Sequence, residues 1–144
     1  MDIEKLIGKV FDEVAEQIGP FEIENNAWEL ELDEGAEESF YVTAGAGELE
    51  LKLNENKIVQ TIFLRPDAEG KFLLEPYLIG TGRREIRKAL GEADASGDAI
   101  LDKVFGDTYG YDRYQKEIVY HFEYQNIEQS RLKMITLMSL KSAP

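Results

Sequence analysis

The residue best suited to acid-base chemistry is His121, the single histidine of the sequence. An imidazole changes its charge near neutral pH, and Asp112 is the acid that would act with it in a small hydrolase. That interpretation also needs a nucleophile or a held substrate, and the spacing of the sequence supplies neither. Because His121 lies among alternating aromatic residues, a structural or partner-contacting role is favoured over catalysis.

Three short motifs resemble chemical sites without completing them. Residues 94–98 (DASGD) match the opening of a calcium loop, but the sixth position is Ala99 instead of glycine and the twelfth is Phe105 instead of glutamate. Residues 80–82 (GTG) fit a turn and a helix cap better than a phosphate cradle, which needs more glycines. Residues 112–114 (DRY) fit a local ion pair beside a ring. The sequence predicts no catalytic residue, metal site or cofactor.

The strongest signal is a long acidic stretch between Lys9 and Lys52 that contains no Lys or Arg. The chain has 16 basic and 29 acidic side chains, hence 16 − 29 = −13, and this stretch alone holds thirteen acids. Apolar residues run through it in folding patterns, so it reads as a folded surface and not as a disordered tail. A surface with one sign of charge attracts cationic partners.

Aromatic residues inside the acidic stretch favour an interface over a merely solvated face. Charge alone gives both interpretations equal weight, since charged faces also keep proteins soluble. Rings within a charged rim supply the apolar contacts that dominate binding, while the charge steers association. The predicted partner-binding residues are Trp28, Glu29, Glu31, Asp33, Glu34, Glu37, Glu38, Phe40, Tyr41, Glu48 and Glu50.

Hydrophobic periodicity predicts the elements that position these residues. Residues 3–18 carry apolar side chains at steps of three and four, which indicates one amphipathic helix ended by Gly19 and Pro20. Residues 28–33 alternate apolar and acidic side chains, which indicates a strand. On such a strand Glu29, Glu31 and Asp33 project from one side at about 6.6–6.8 Å, near the phosphate spacing of a nucleic acid strand.

The remaining patterns complete an α+β fold, a single domain spanning residues 1–144. We expect a mainly antiparallel sheet of about five to seven strands, packed against the N-terminal helix and one short helix at 81–91. The alternating residues 118–124 and the run 132–140 predict a closing hairpin. Within the poorly patterned segment 92–110, residues 100–105 fit one helical turn or a buried strand.

Composition limits the cellular setting and the partners. The sequence has no cysteine, no secretory signal pattern and no apolar run approaching the ~18 residues of a membrane span, so a cytoplasmic location is expected. With a pI near 4.5, direct binding to nucleic acid or to an anionic membrane is disfavoured by repulsion.

The second half of the chain resembles known small domains. Residues 78–93 (LIGTGRREIRKALGEA) resemble the signature of α+β domains of the β-lactamase-inhibitor and outer-membrane-assembly-lipoprotein type. Together with residues 96–97, 111–114, 121–124 and 135–138, they make the region from about 60 to 140 similar to bacterial immunity proteins of polymorphic toxin and contact-dependent growth inhibition systems. The chain departs from the lipoprotein members in lacking a signal and a lipidated cysteine.

The resemblance implies a protein that binds and neutralises a cognate toxin domain in the cytoplasm. The acidic stretch favours a basic toxin, with a nuclease as the favoured class, because nucleases present cationic surfaces to phosphates. Two alternatives remain open. One is an acidic adaptor or effector chaperone that masks a basic partner, and the other is the small hydrolase that uses His121 with Asp112.

Overall fold

The computed structural model describes residues 2–65, 82–106, 108–125 and 131–143. The α+β class is confirmed, and within these residues the antiparallel sheet has eight strands instead of the predicted five to seven. The strands are ordered β1-β2-β3-β4-β8-β7-β6-β5 across the sheet. In chain order the elements are α1 (Phe11–Ile18), β1 (Phe21–Asn25), α2 (Ala27–Leu32), β2 (Phe40–Ala44), β3 (Leu49–Leu53), β4 (Val59–Leu64), α3 (Arg83–Leu90), β5 (Ala95–Gly97), β6 (Tyr111–Gln115), β7 (Val119–Tyr124) and β8 (Leu132–Met138).

One face of the sheet forms the hydrophobic core. Val42, Leu51, Ile62 and Leu137 lie opposite one another on four neighbouring strands, and none of them is exposed. Residues from α1 and α3 pack in the same buried cluster. These two helices therefore cover one face of the sheet, and the side chains at the intervening strand positions project from the other, which we call the open face. Its central residues are nevertheless buried, namely Thr61, Val119, Thr136 and Met138.

Strongly patterned segments fold as their sequence predicts. The β7–β8 hairpin is confirmed, as are the β3–β4 connection through residues 54–56 and the helix that ends at Gly91. Gly91 has φ +82°, a conformation that L side chains rarely adopt, so it ends α3 as the sequence predicts.

The prediction of one helix over residues 3–18 is wrong in its first half. A short 3₁₀ turn spans Ile3–Leu6, and α1 begins only at Phe11. Gly8 has φ +83° and donates its N–H to Val59 O at 2.8 Å, while Val59 donates to Lys9 O at 2.9 Å. This segment is extended because pairing with the start of β4 replaces the helical hydrogen bonds between its two halves.

The strand predicted at residues 28–33 is wrong, because residues 27–32 form helix α2. The Asn25 side chain accepts a hydrogen bond from Ala27 N at 3.1 Å, and Leu30 N donates to Asn26 O at 3.1 Å. Alternation over six residues does not exclude a helix, since the apolar residues at 28 and 32 are four apart and share one side of a helix, while residue 30 lies on the opposite side. Strand β1 lies earlier, at residues 21–25.

Residues 102–106 form one exposed helical turn, in which Gly106 N donates to Asp102 O at 3.0 Å, so the helical-turn interpretation is confirmed in part and the buried strand is wrong. Ile100 bridges to Thr108 across an exposed loop, and the Asp102 carboxylate accepts hydrogen bonds from Val104 N at 2.7 Å and Phe105 N at 2.9 Å. These bonds lower the pKa of Asp102. The loop is thus held by its own backbone contacts while its apolar side chains face solvent.

Some predictions lie outside the described residues, namely the turn at 66–70, the apolar run at 72–79 and the glycine turn at 80–81. Among the helices of the described part of the chain, none has both the length and the apolar composition required to span a membrane.

The buried amide of Asn26 ties α2 to the sheet. Only 1% of the residue is exposed, and its side chain donates to Glu37 O at 2.8 Å and accepts from Ser39 N at 2.9 Å. We expect Asn26→Ala to lower the free energy of unfolding by about 1–3 kcal/mol, because it leaves buried backbone groups unsatisfied.

Urea denaturation of the two variants Asn26→Ala and Gln17→Ala measures this contribution. Gln17 is an exposed amide on α1, so its replacement should change stability by no more than about 0.5 kcal/mol. Equal stabilities of the two variants would show that Asn26 does not hold α2.

Candidate protein-binding surface

Helix α2 presents apolar side chains to solvent instead of to the core. None of its residues is buried. Trp28 is 65% exposed and Leu32 is 83% exposed, and their separation of four residues places them on the same side of the helix. An exposed aromatic and aliphatic pair on an element with no core contact of its own is typical of a binding surface.

Strand β1 extends this surface along the edge of the sheet. All five of its residues are exposed, and it pairs with β2 on one side. Phe21 and Ile23, each 40% exposed, project toward the side of the helices, where Phe21 packs edge-on against a ring of α1 at 4.9 Å. Glu22 and Glu24 project from the open face. We call the exposed residues of 21–38 the β1–α2 surface.

Most of the predicted acidic residues belong to the β1–α2 surface. Glu29, Glu37 and Glu38 line a depression of about 300 Å³ together with Lys52. Asn25 donates to Glu38 at 3.3 Å, so the returning loop contacts the end of β1. The remaining predicted members, which lie at the end of α2 and in the following turn, are exposed; they are Glu31, Asp33 and Glu34.

The acidic groups of this surface are not neutralised by the arginines of the second half. Among the described residues, no ion pair joins a basic side chain to an acid of the β1–α2 surface. Arg83 and Arg87 of α3 pair instead with Asp98 and Asp112, next to β5 and β6 at the far edge of the sheet. The negative potential of the β1–α2 surface is therefore available to a partner.

Four predicted contact residues lie apart from this surface. Glu48 is only 2% exposed, so its predicted place in an accessible contact surface is wrong. Glu50 is partly exposed and pairs with Arg65 at 3.6 Å. Phe40 is half-buried against the core, with Lys57 5.3 Å from its ring centre. Tyr41 lies on the open face, between Glu24 of β1 and Lys52 of β3.

The acidic stretch is divided between two layers of the molecule. Asp12, Glu13 and Glu16 are exposed on α1, which covers one face of the sheet, whereas the acids of β1 project from the opposite face. Sequence order alone hides this division because consecutive acids occupy different layers. Within residues 22–38 every acid is exposed except Glu29, which is half-buried.

The pair required by the hydrolase interpretation is not assembled. His121 lies opposite Arg113, and Asp112 lies opposite Phe122, so the histidine and the carboxylate project from opposite faces of the sheet. His121 Nδ1 accepts a hydrogen bond from Arg113 Nε at 3.3 Å, and its ring stacks on Tyr111 at 5.0 Å. Burial and the Arg113 charge lower the pKa of His121. It has the contacts of a structural side chain.

Asp112 is the centre of a buried polar cluster that fixes α3 on the sheet. Its carboxylate is fully buried and accepts hydrogen bonds from Arg87 Nη2 at 2.8 Å and from the Tyr124 hydroxyl at 2.7 Å. Arg83 Nε lies 3.3 Å from the same carboxylate. A buried charge is costly unless it is paired, so these contacts explain how the core tolerates the Asp112 carboxylate. Because its oxygens already bond to Arg87 and Tyr124, the carboxylate is engaged in structural contacts.

The sequence did not reveal a second exposed apolar cluster, at the far edge of the sheet. Leu101 is 66% exposed, Val104 82% and Phe105 89%, all within the loop that Asp102 holds. Apolar residues are usually buried, and nothing in the local sequence distinguishes an apolar run that is buried from one that is exposed to solvent. The alternating Lys103 is the single hint of exposure in this run.

Comparison with protein-family models, with curated proteins and with solved structures gives no match to this chain. The resemblance to immunity proteins therefore stays a prediction.

The buried cluster around Asp112 predicts a loss of stability in alkali. Burial and the contact with Asp112 raise the pKa of Tyr124 above its ordinary value of 10.0. Above about pH 10 the unfolded chain releases the phenolic proton that the native chain keeps, so the free energy of unfolding falls as pH rises, by up to about 1.4 kcal/mol per pH unit for this group.

Urea denaturation between pH 9 and about pH 11.5 measures the slope. Tyr124→Phe should be less stable at neutral pH and should show a shallower alkaline loss. The control is Phe122→Leu, which loosens the same buried region without removing a phenol and should keep the original slope. Equal slopes for all three proteins would contradict the assignment.

Proposed function

We propose that this chain is an immunity protein that binds a cognate basic toxin domain and neutralises it by covering its active site. A nuclease is the favoured toxin class. The proposal joins the resemblance of the second half with a binding surface in the first half.

The observation that carries the proposal is the exposed pair Trp28 and Leu32 on α2. These side chains cost solvation free energy without contributing to the core, because α2 has no buried residue. A partner that covers both would remove them from water, and Trp is among the residues that most often dominate binding energy. Acids around them supply specificity for a cationic partner.

Charge supports a basic partner of the nuclease class. A nuclease must hold phosphates, so its active-site surface is cationic, and a rim of unpaired carboxylates competes for the same groups. The negative field also raises the association rate at low salt. Both effects favour rapid capture of a toxin.

The α2 geometry changes the way in which the acids would act. Glu29 and Glu31 lie within α2 and point about 200° apart around its axis, whereas Asp33 follows the helix in an extended conformation, so the even phosphate-like spacing of a strand does not apply. The proposed inhibition is therefore steric and electrostatic occlusion by a charged rim around two apolar anchors. It does not require imitation of a nucleic acid strand.

The acidic adaptor or effector chaperone is distinguished by the behaviour of the partner. A tagged copy of the chain recovers its partner from the native host, and the partner is then expressed alone. If the partner is toxic and co-expression of this chain relieves the toxicity, the immunity function is supported. If the partner is harmless, or keeps its activity while bound to this chain, the adaptor function is supported. The product of the gene immediately upstream is the first candidate to test.

The double variant Trp28→Ala/Leu32→Ala tests the apolar anchors. We expect it to bind the recovered partner at least about 100-fold more weakly, because two anchors that each contribute about 1.4 kcal/mol or more are removed, and each such loss is about tenfold. Thermal stability should change little, since both side chains are exposed.

Calorimetric titration measures the affinity, with Phe105→Ala as the matched control. That variant removes an even more exposed ring from the loop after β5 and should bind like the original chain. Unchanged affinity of the α2 variant would exclude the β1–α2 surface as the contact.

The triple variant Glu29→Lys/Glu31→Lys/Asp33→Lys tests the electrostatic part. It should associate with the partner more slowly and with a weaker dependence on salt, because the steering field is reversed locally. Stopped-flow rates at several salt concentrations measure both effects.

A control with the same change in net charge separates a local from a global field. Glu16, Glu92 and Glu117 are exposed on other elements, and their replacement by Lys should slow association much less. If the two triple variants behave alike, the charge of the β1–α2 surface has no special role in capture.

A further inference from the structure

The free edge of the sheet at β1 carries backbone groups that point away from the molecule. Asn26 N donates to Ser39 O at 3.1 Å, and the register of β1 with β2 continues through this pair. In an antiparallel ladder every second residue turns its N–H and C=O toward the same neighbour. Glu24 and Glu22 therefore bond to β2, and the backbone groups of the alternate residues point outward, at Phe21, Ile23 and Asn25.

Nothing in the described part of the chain pairs with this outer edge. None of the described strands lies beyond β1, and all five residues of β1 are exposed. The opposite edge is different, since Arg83 of α3 donates to Gly97 O at 2.5 Å and covers β5. An open edge of five residues is long enough to template another strand.

The side chains of β1 define what kind of strand fits. Glu22 and Glu24 project from the open face, and Phe21 and Ile23 project toward the helices. An added strand therefore meets carboxylates on one face and apolar side chains on the other. Basic residues alternating with apolar residues complement this pattern, because opposite charges on facing strands attract.

A second copy of this chain does not fit the same edge. Two β1 strands joined in antiparallel fashion would place Glu22 and Glu24 of one copy against the same residues of the other, on the same face of the sheet. Like charges directly opposite are destabilising. The two carboxylates thus disfavour pairing between copies and favour a basic segment.

We propose that β1 binds an extended basic segment of the partner as an added antiparallel strand. This inference rests on the proposed function, for which it names the mode of contact. The main-chain hydrogen bonds of Phe21, Ile23 and Asn25 supply the attachment, and Glu22 with Glu24 select lysine or arginine at alternate positions of the incoming strand. The α2 anchors lie directly after this strand in the chain, so both contacts belong to one continuous interface.

A synthetic peptide of alternating Lys and Val residues tests the hydrogen bonds directly. In the proposed pairing the Val residues lie opposite Phe21 and Ile23 and exchange main-chain hydrogen bonds with them, whereas the Lys residues face the carboxylates. A peptide N-methylated at its Val residues should therefore bind at least about tenfold more weakly than the unmodified one. A peptide N-methylated at its Lys residues has the same charge and should retain binding.

Amide hydrogen exchange locates the contact. On addition of the unmodified peptide, exchange should slow at Phe21, Ile23 and Asn25, whose N–H groups gain partners, more than at Glu22 and Glu24, which already bond to β2. Equal affinity of the two N-methylated peptides, or no slowing at the outward positions, would overturn the proposal.

Reversing the two charges of β1 tests whether Glu22 and Glu24 select a basic strand. Glu22→Lys/Glu24→Lys should lose affinity for the Lys and Val peptide and gain affinity for a Glu and Val peptide. If the double variant still prefers the Lys and Val peptide, the proposed pairing is wrong.

These results separate the inference from the proposed function. In one outcome, the native partner is neutralised while the peptides do not bind and exchange at the β1 amides does not slow. In that case strand addition is wrong and the immunity function stands. If the peptides bind at β1 but the recovered partner is not toxic, the edge contact stands and the immunity function is wrong.

Discussion

The architecture depends on the burial of one face of an antiparallel sheet. Alternate residues of β2, β3, β4 and β8 form a continuous apolar row, and the two longer helices cover it. Because the intervening residues must project outward, the many acids of the first half are distributed among the open face, the exposed side of α1 and the peripheral segment that contains β1 and α2. The candidate binding surface is where this segment extends beyond the core.

Sequence patterns predicted the elements whose side chains contact the core and missed those defined by single polar contacts. The alternation in β3 and in the β7–β8 hairpin is long enough to exclude a helix, and the glycine cap of α3 is local. In α2 the pattern is too short to distinguish the periods, and Asn26 decides the outcome through bonds to residues more than ten positions away. The interruption at Gly8 likewise depends on pairing with β4, which no local signal reveals.

The candidate site was predicted in composition and only partly in geometry. The lack of basic residues drew attention to the segment that contains Trp28, and six of the predicted acids lie in that segment. Glu48 and Phe40 could not be assigned correctly, because the face on which a strand residue lies depends on register and on which face the helices cover. Acids at opposite edges of the sheet are stabilised in different ways. Asp112 is tolerated in the core because arginines and a tyrosine bond to it, whereas the acids of β1 and α2 stay hydrated.

The position of Trp28 has a consequence for spectroscopy. It is the single tryptophan of the sequence, and it stands in solvent on a helix without core contacts. Its fluorescence is accordingly insensitive to the packing of the interior, and melting of the sheet will leave the emission maximum nearly unchanged. The same indole becomes an intrinsic optical reporter of complex formation, because a partner that covers α2 will shift its emission to shorter wavelength without any attached dye.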